Sequence, residues 1–402
     1  MKRVLFFIGI LSCVLNANAQ WKKVVSTTTQ DLYGVTLLNK TAYAVGNNST
    51  LLKSKDTGKT WTKLALPTLY NLRALYFFDS LHGIITGENA RMLKTIDGGK
   101  LWTQTYVKTA AYANAIYFQG QHGAAVGKDF LAVSSSDSGK SWNVDTTANK
   151  FIKLQGVTIM PNGNCWAVGD SGYLLNKKVG AKKWQVSRLS TNINLTGITY
   201  IGNHTLIVVG GMPDTVNLGK FYNLMARSTD SGKTWQINNI SEMRLINGLS
   251  FSHPDSGYLV GSSGLISKCN NGFSNRGLQL TGIASAFNGI SNDNKYGIIV
   301  GDGGTIVRTN NAGGSPLLNV SKPALNTNVY TVYPNPSNGH FFISSQTFSF
   351  GFEIFNMQGQ LVFNCEALKS AHEIELPSAG LYTIRLKLAD GTTRIHNIAV
   401  VK

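Results

Sequence analysis

The stretch Ser54-Lys55-Asp56-Thr57-Gly58-Lys59-Thr60-Trp61 decides the fold, because it returns along the chain. It recurs as Thr95-Ile96-Asp97-Gly98-Gly99-Lys100-Leu101-Trp102, as Ser135-Ser136-Asp137-Ser138-Gly139-Lys140-Ser141-Trp142 and as Ser228-Thr229-Asp230-Ser231-Gly232-Lys233-Thr234-Trp235. A period of about 40 residues marks a repeat architecture. A second landmark, a short apolar strand containing one small residue, counts the units: Tyr33-Gly34-Val35, Arg73-Ala74-Leu75, Asn114-Ala115-Ile116, Gln155-Gly156-Val157, Thr196-Gly197-Ile198, Asn247-Gly248-Leu249 and Asn288-Gly289-Ile290. Each unit continues with a strand ending in glycine (Gly46, Gly169 and Gly301, for example), a third strand, the Asp-Gly-Trp phrase and a fourth strand. Four short strands per unit and no helical periodicity predict an all-β fold, a seven-bladed β-propeller. The small residue suits a first strand nearest the axis, where strands converge. The Asp suits a turn in which its carboxylate accepts backbone N–H bonds, the glycine a positive φ, and the Trp a large apolar contact between blades.

Three copies of the phrase are worn. The fourth unit runs from Asn176 to Trp184 without an Asp, the sixth has Asn275 in place of Trp, and the seventh has Pro316 there. Trp21-Lys22-Lys23-Val24-Val25 stands ahead of the first unit and reads as the missing fourth strand of the seventh. It is expected to pair with the strands of residues 287–310 and close the ring, removing sheet edges.

These repeats are Asp-boxes, also called BNR repeats. Units such as Gly83-Ile84-Ile85-Thr86-Gly87 followed by the phrase from Thr95 to Trp102 resemble the Asp-box propellers grouped with the photosystem II assembly and stability factor. The resemblance covers about residues 21–314 and is specific for fold and weak for function. Farther on, Val332-Tyr333-Pro334-Asn335-Pro336-Ser337-Asn338-Gly339, Ile354-Phe355-Asn356-Met357-Gln358-Gly359-Gln360-Leu361-Val362 and Gly380-Leu381-Tyr382-Thr383-Ile384-Arg385-Leu386 are alternating strands between turn residues, a small β-sandwich. They resemble the type A sorting domain of the type IX secretion system of Bacteroidetes. That resemblance implies engagement of the type IX machinery, export through the outer membrane, and release or anchoring at the cell surface. It carries the motif role to Tyr333, Pro334, Asn335, Pro336, Gly339, Gly380 and Tyr382, and argues against a photosynthetic role.

Lys2 and Arg3, the apolar run Val4 to Val14 and Ala17-Asn18-Ala19 read as a secretory signal cleaved before Gln20, with a lipoprotein signal at Cys13 as the rival reading. The expected organisation is a signal peptide over 1–19, a propeller over 20–314, a linker over 315–328 and a sorting domain over 329–402. No segment has the length of a transmembrane helix. Cys165, Cys269 and Cys365 are too sparse for a disulfide framework or a zinc site, so no metal or cofactor is expected.

Propeller topology places Tyr33, Arg73, Asn114, Gln155, Thr196, Asn247 and Asn288 as a polar ring near the axis on the face away from the Asp-boxes. Glu88 and Arg91 belong to the same face, as does the insertion within Gly211 to Leu224, with Phe221 and Tyr222. These are the candidate ligand-binding residues, since rigid scaffolds carry function on such loops. Asp56, Trp61, Asp97, Trp102, Asp137, Trp142, Asp230 and Trp235 are structural and not catalytic. The chain holds 37 Lys and Arg against 20 Asp and Glu, net +17. The stretch from Val329 is balanced, so the excess lies in the repeats and favours an anionic partner. The reading is a monomeric, non-enzymatic binding propeller whose partner is an extracellular protein or an anionic glycan. No nucleic-acid motif accompanies the charge. The alternative is a sialidase-like glycoside hydrolase working from Glu88, Glu242 or Asp residues on that face, beside Arg73, Arg91 and Arg244.

Overall fold

The computed structural model describes residues 21–311 and 330–400, apart from 68–69, 108–110, 146–151, 216–220, 241–243, 255, 271–274, 280, 294, 334–339, 346–349, 357, 369–371, 377 and 388–392. The chain divides into two compact units, up to Val320 and from Ser321. The expected signal, the expected linker, Glu242, and Pro334, Asn335, Pro336 and Gly339 lie outside the described residues.

The described residues of the first unit form seven four-stranded antiparallel sheets. Their innermost strands are Leu32–Leu38, Leu72–Phe77, Ala113–Gln119, Leu154–Ile159, Leu195–Tyr200, Ile246–His253 and Phe287–Asn292. Each packs beside the next, and the last packs beside the first, so the ring is closed. The seventh sheet borrows its outer strand from the other end of the chain: Lys22, Lys23 and Val24 pair with Arg308, Val307 and Ile306. Trp21 is 1% exposed among Tyr258, Val260, Phe287 and Val307 and donates its indole N–H to Gln279 Oε1 at 2.5 Å. The Trp missing from the seventh unit is therefore supplied by Trp21, as the sequence predicts.

The small residue of each inner strand is explained by the neighbouring blade. A Cβ on Gly289 would come 2.4 Å from the Tyr33 carbonyl oxygen, and one on Gly156 3.1 Å from the Gly197 Cα. The glycine that ends each second strand has a different cause. There the chain passes so close to the residue two before the ring position that a Cβ on Gly127 would meet the Tyr112 carbonyl oxygen at 1.7 Å, and one on Gly261 the Leu245 oxygen at 1.7 Å. The approach makes a hydrogen bond: Lys128 N donates to Tyr112 O at 2.9 Å, and Glu88, Asp170, Ser262 and Asp302 do the same in their blades.

The Asp-box works as a turn with two hubs. Ser54 Oγ accepts from Gly58 N at 2.9 Å and donates to Asp56 Oδ1 at 2.7 Å. Asp56 then accepts from Thr60 N at 3.0 Å and Thr60 Oγ1 at 2.7 Å. Asp97, Asp137 and Asp230 repeat the pattern with Thr95, Ser135 and Ser228 as the first hub. The indoles of Trp61, Trp102 and Trp235 donate to the carbonyls of Gly58, Gly99 and Gly232. Each Trp lies on the preceding blade: Trp61 packs with Ile298, and Trp235 meets Trp166 edge to face at 6.0 Å.

Partial desolvation pushes the Asp56 carboxyl up, but the hydrogen bonds of Thr60 and Ser54 outweigh it and bring the pKa down to about 2 from 3.8. At Asp137 desolvation is likewise outweighed, here by Ser141 and Ser135, again to about 2. A carboxyl depressed on folding binds fewer protons than in the unfolded chain between these values. Its stabilisation is therefore complete above about pH 4 and lost as pH falls through about 2. Unfolding midpoints measured from pH 6 down to pH 2 should fall steeply in that window. A variant carrying Asp56→Asn and Asp137→Asn should start lower and fall less.

The second unit holds a three-stranded sheet (Tyr330–Tyr333, His340–Ser345, His372–Glu375) and a four-stranded sheet (Leu361–Leu368, Phe350–Phe355, Gly380–Lys387, Thr393–Val400). Phe341, Ile343 and Ile374 from the first share one core with Phe352, Ile354, Ile384, Leu386 and Ile398 from the second. Tyr382 of the Gly-x-Tyr motif buries its ring in that core and donates its hydroxyl to Ser378 O at 2.9 Å. Tyr333 ends the first strand, and Gly380 opens the strand that carries Tyr382.

Candidate functional site at the axial mouth

The innermost strand of every blade carries a β-bulge at one place. The pairing register shifts between Leu32 and Gly34, Leu72 and Ala74, Ala113 and Ala115, Leu154 and Gly156, Leu195 and Gly197, Ile246 and Gly248, and Phe287 and Gly289. The residue left over each time is the ring residue: Tyr33, Arg73, Asn114, Gln155, Thr196, Asn247 or Asn288. A bulge re-aims a side chain, and all seven line one axial cavity of about 720 Å³.

The ring also joins blade to blade. Asn114 Nδ2 donates to Leu154 O at 2.9 Å, Thr196 Oγ1 to Ile246 O at 3.0 Å, Asn247 Nδ2 to Phe287 O at 3.0 Å and Asn288 Nδ2 to Leu32 O at 3.1 Å. In each case the acceptor is the residue just before the next blade's ring position. Gln155 instead donates to Asp170 Oδ1 at 2.9 Å. Between the first two blades the link is a stack, with the Arg73 guanidinium 3.8 Å from the Tyr33 ring centroid.

Lys128 and Lys153 complete the wall with Tyr112, whose ring lies 5.9 Å from Lys128 Nζ. The side chains of Arg73, Lys128 and Lys153 have no hydrogen-bond or ion-pair partner among the described residues. No carboxylate is among the described residues lining the cavity. The mouth is therefore cationic along blades 2 to 4 and lined by amide and hydroxyl groups elsewhere.

Four candidates stand apart from this cavity. Glu88 Oε2 accepts from Asn71 N at 3.1 Å and Oε1 from Asn71 Nδ2 at 2.7 Å, so both oxygens brace a turn. The Arg91 guanidinium stacks on Tyr70 at 3.9 Å. Phe221 and Tyr222 lie on the insertion, which is not a free loop but a lengthened hairpin: Gly211, Met212 and Pro213 pair with Asn223, Tyr222 and Phe221. Phe221 is half-buried and Tyr222 is 53% exposed. Buried Asn223 anchors the hairpin to the next blade, donating to Arg244 O at 3.1 Å and accepting from Ile246 N at 3.3 Å.

Sequence reasoning missed two uses of charge. Lys53 Nζ donates to Gly98 O at 2.6 Å, Lys94 Nζ to Ser138 O at 3.0 Å, and Arg308 Nε to Thr57 O at 3.1 Å. A cation on the third strand thus caps the Asp-box of the next blade, so part of the positive excess is structural. The signal was visible as a basic residue directly before the first residue of the box. The other use is Lys177, which occupies the first-hub position of the worn fourth box and forms a buried ion pair with Asp145 at 2.6 Å. Among the described residues no group of three or more His, Cys, Asp or Glu side chains is placed to hold a metal ion. No helix among them is long and apolar enough to cross a membrane.

Residues 331–400 match the family model of the secretion system C-terminal sorting domain. The second unit is a type IX sorting domain. Residues 60–151, spanning the boxes of Asp97 and Asp137, match the model of the photosynthesis system II assembly factor YCF48. Among solved structures, YCF48 determined with a bound D1 peptide superposes with a TM-score of 0.59 at 20% identity, covering 72% of this chain and 96% of that one. YCF48 from Cyanidioschyzon merolae gives 0.58 at 15%, covering 72% and 98%. The propeller of Cps50 (Swd1) from Myceliophthora thermophila gives 0.55 at 10%, covering 71% and 99%. At these identities the likeness is one of fold. No curated protein matches the sequence. The chain thus joins a propeller like that of the photosystem II assembly factor to a sorting domain that implies export by the type IX system.

Proposed function

We propose that this protein is an exported, non-enzymatic binding propeller that holds an anionic partner at the axial mouth, free in the medium or on the outer cell surface. One observation carries the reading: Arg73, Lys128 and Lys153 line one cavity with no counter-ion among the described residues, and no described carboxylate lines it with them. Unpaired cations in a concave, low-dielectric wall focus field on an incoming anion. The relative determined with a peptide shows that a propeller of this shape can serve as a binding platform. The hydrolase alternative needs paired carboxylates flanking a bond. Glu88 is committed to Asn71 instead.

An array of anionic and neutral glycans and peptides, screened with the wild type and with an Arg73→Ala, Lys128→Ala, Lys153→Ala variant, tests this. Anionic members should be retained by the wild type and weakened tenfold or more in the variant, with no turnover of any bound glycan. Retention that ignores the three substitutions would move the site elsewhere. Hydrolysis of a retained glycan would restore the enzyme reading.

A further inference from the structure

The ring residues fix what kind of anion fits. Asn114, Asn247 and Asn288 each direct Nδ2 at a backbone carbonyl, which can only accept. Their Oδ1 atoms are left as acceptors without a donor among the described residues. Gln155 does the same through its bond to Asp170, and Thr196 has given its only proton to Ile246 O. Five side chains lining the cavity therefore keep acceptor capacity, three of them (Asn114, Asn247 and Gln155) with one further N–H, while Arg73, Lys128 and Lys153 offer only donors and positive charge. A ligand with an anionic group on one side and several hydrogen-bond donors on the other satisfies both sectors.

Resting on the reading of the mouth as an anion site, we infer that it takes an acidic oligosaccharide, a sugar chain bearing uronic-acid carboxylates. Its carboxylate meets Arg73, Lys128 and Lys153, and its hydroxyls donate to the amide oxygens across the bowl. Inorganic phosphates carry the charge without enough donors. Neutral sugars carry donors without the charge. An extended acidic peptide places its N–H donors along a line, whereas the acceptors here lie around a ring. A cavity of about 720 Å³ is within the range that encloses a compact ligand.

Calorimetric titration of the full secreted chain with trigalacturonate, carboxyl-reduced trigalacturonate, pyrophosphate and an Asp/Glu hexapeptide decides the matter. Trigalacturonate should bind best, with the reduced form at least thirtyfold weaker. Arg73→Ala should weaken trigalacturonate tenfold or more. The Lys128→Ala, Lys153→Ala pair lies on exposed side chains that make no hydrogen bond or ion pair with the described residues, and it should weaken binding similarly. Thr196→Val should weaken trigalacturonate severalfold and leave pyrophosphate unchanged. If the peptide or pyrophosphate binds as tightly as trigalacturonate with the same Arg73 dependence, the sugar assignment falls and the anion-binding mouth stands. If no probe responds to Arg73→Ala or to the lysine pair, both readings fall.

Discussion

Removing residues 21–26 should cost the propeller most of its folding stability and leave it prone to associate. The segment supplies the outer strand of the seventh blade, pairing with Ile306 to Arg308. Its Trp21 is fully buried against Tyr258, with ring centroids 5.3 Å apart, edge to face. Truncating a buried Trp alone costs about 3–5 kcal/mol, against a total of roughly 5–15 kcal/mol for a typical domain. Deletion also strips the partner from strand Ile306–Thr309, an apolar edge that would then offer unpaired N–H and C=O groups to other chains. Trp21→Ala isolates the side-chain share and should lower stability by about 3–5 kcal/mol in urea unfolding. The deletion should go further, with a broadened, less cooperative transition and concentration-dependent association. An unchanged melting profile for the deletion would show that the ring closes without this strand.

What the sequence could and could not reveal follows from the range of each interaction. The hub bonds of the Asp-box are local, each spanning at most four residues, so its spacing gives both the turn and the blade count. The small residues at Gly34 and its equivalents were legible as a pattern because a Gly or Ala returns at the same place in all seven units. The bulges were not legible, since a bulge is a relation between two strands and leaves no mark on either. Yet the bulges make Tyr33 to Asn288 a ring. Nor could the sequence show that Asn247 and Asn288 each spend an amide proton on the next blade, because the acceptors are backbone carbonyls that any residue possesses. The cations at Lys53, Lys94 and Arg308 read as surface charge, while each is tied to a turn in the adjacent blade. Sequence reasoning thus overstated how much of the charge is free for a partner. It also treated the insertion around Phe221 and Tyr222 as a loop, although its ends continue the ladder of the fifth blade.

The worn fourth box should prove to be a stability hot spot. In place of the serine or threonine hub stands Lys177, the last residue of its strand. Its ammonium reaches the preceding blade, donating to Asp145 Oδ2 at 2.6 Å and Ser134 Oγ at 2.9 Å. The indole of Trp184 donates to the same Oδ2 at 3.0 Å, and Ser134 Oγ donates to Oδ1 at 2.8 Å. The two charged side chains are 7% and 4% exposed, so neither can recover water if its partner is lost. Removing one partner of such a pair costs about 3–5 kcal/mol, whereas replacing both with apolar groups is often neutral or stabilising. Lys177→Met and Asp145→Leu should each therefore destabilise by about 3–5 kcal/mol. The double variant should recover most of that loss. It should not recover all, because the Trp184 indole would then be buried without an acceptor, at about 1–3 kcal/mol. Urea unfolding of the four proteins gives the coupling energy directly. Strong positive coupling is the expected outcome, and strictly additive losses would show that the ion pair does not hold the third and fourth blades together.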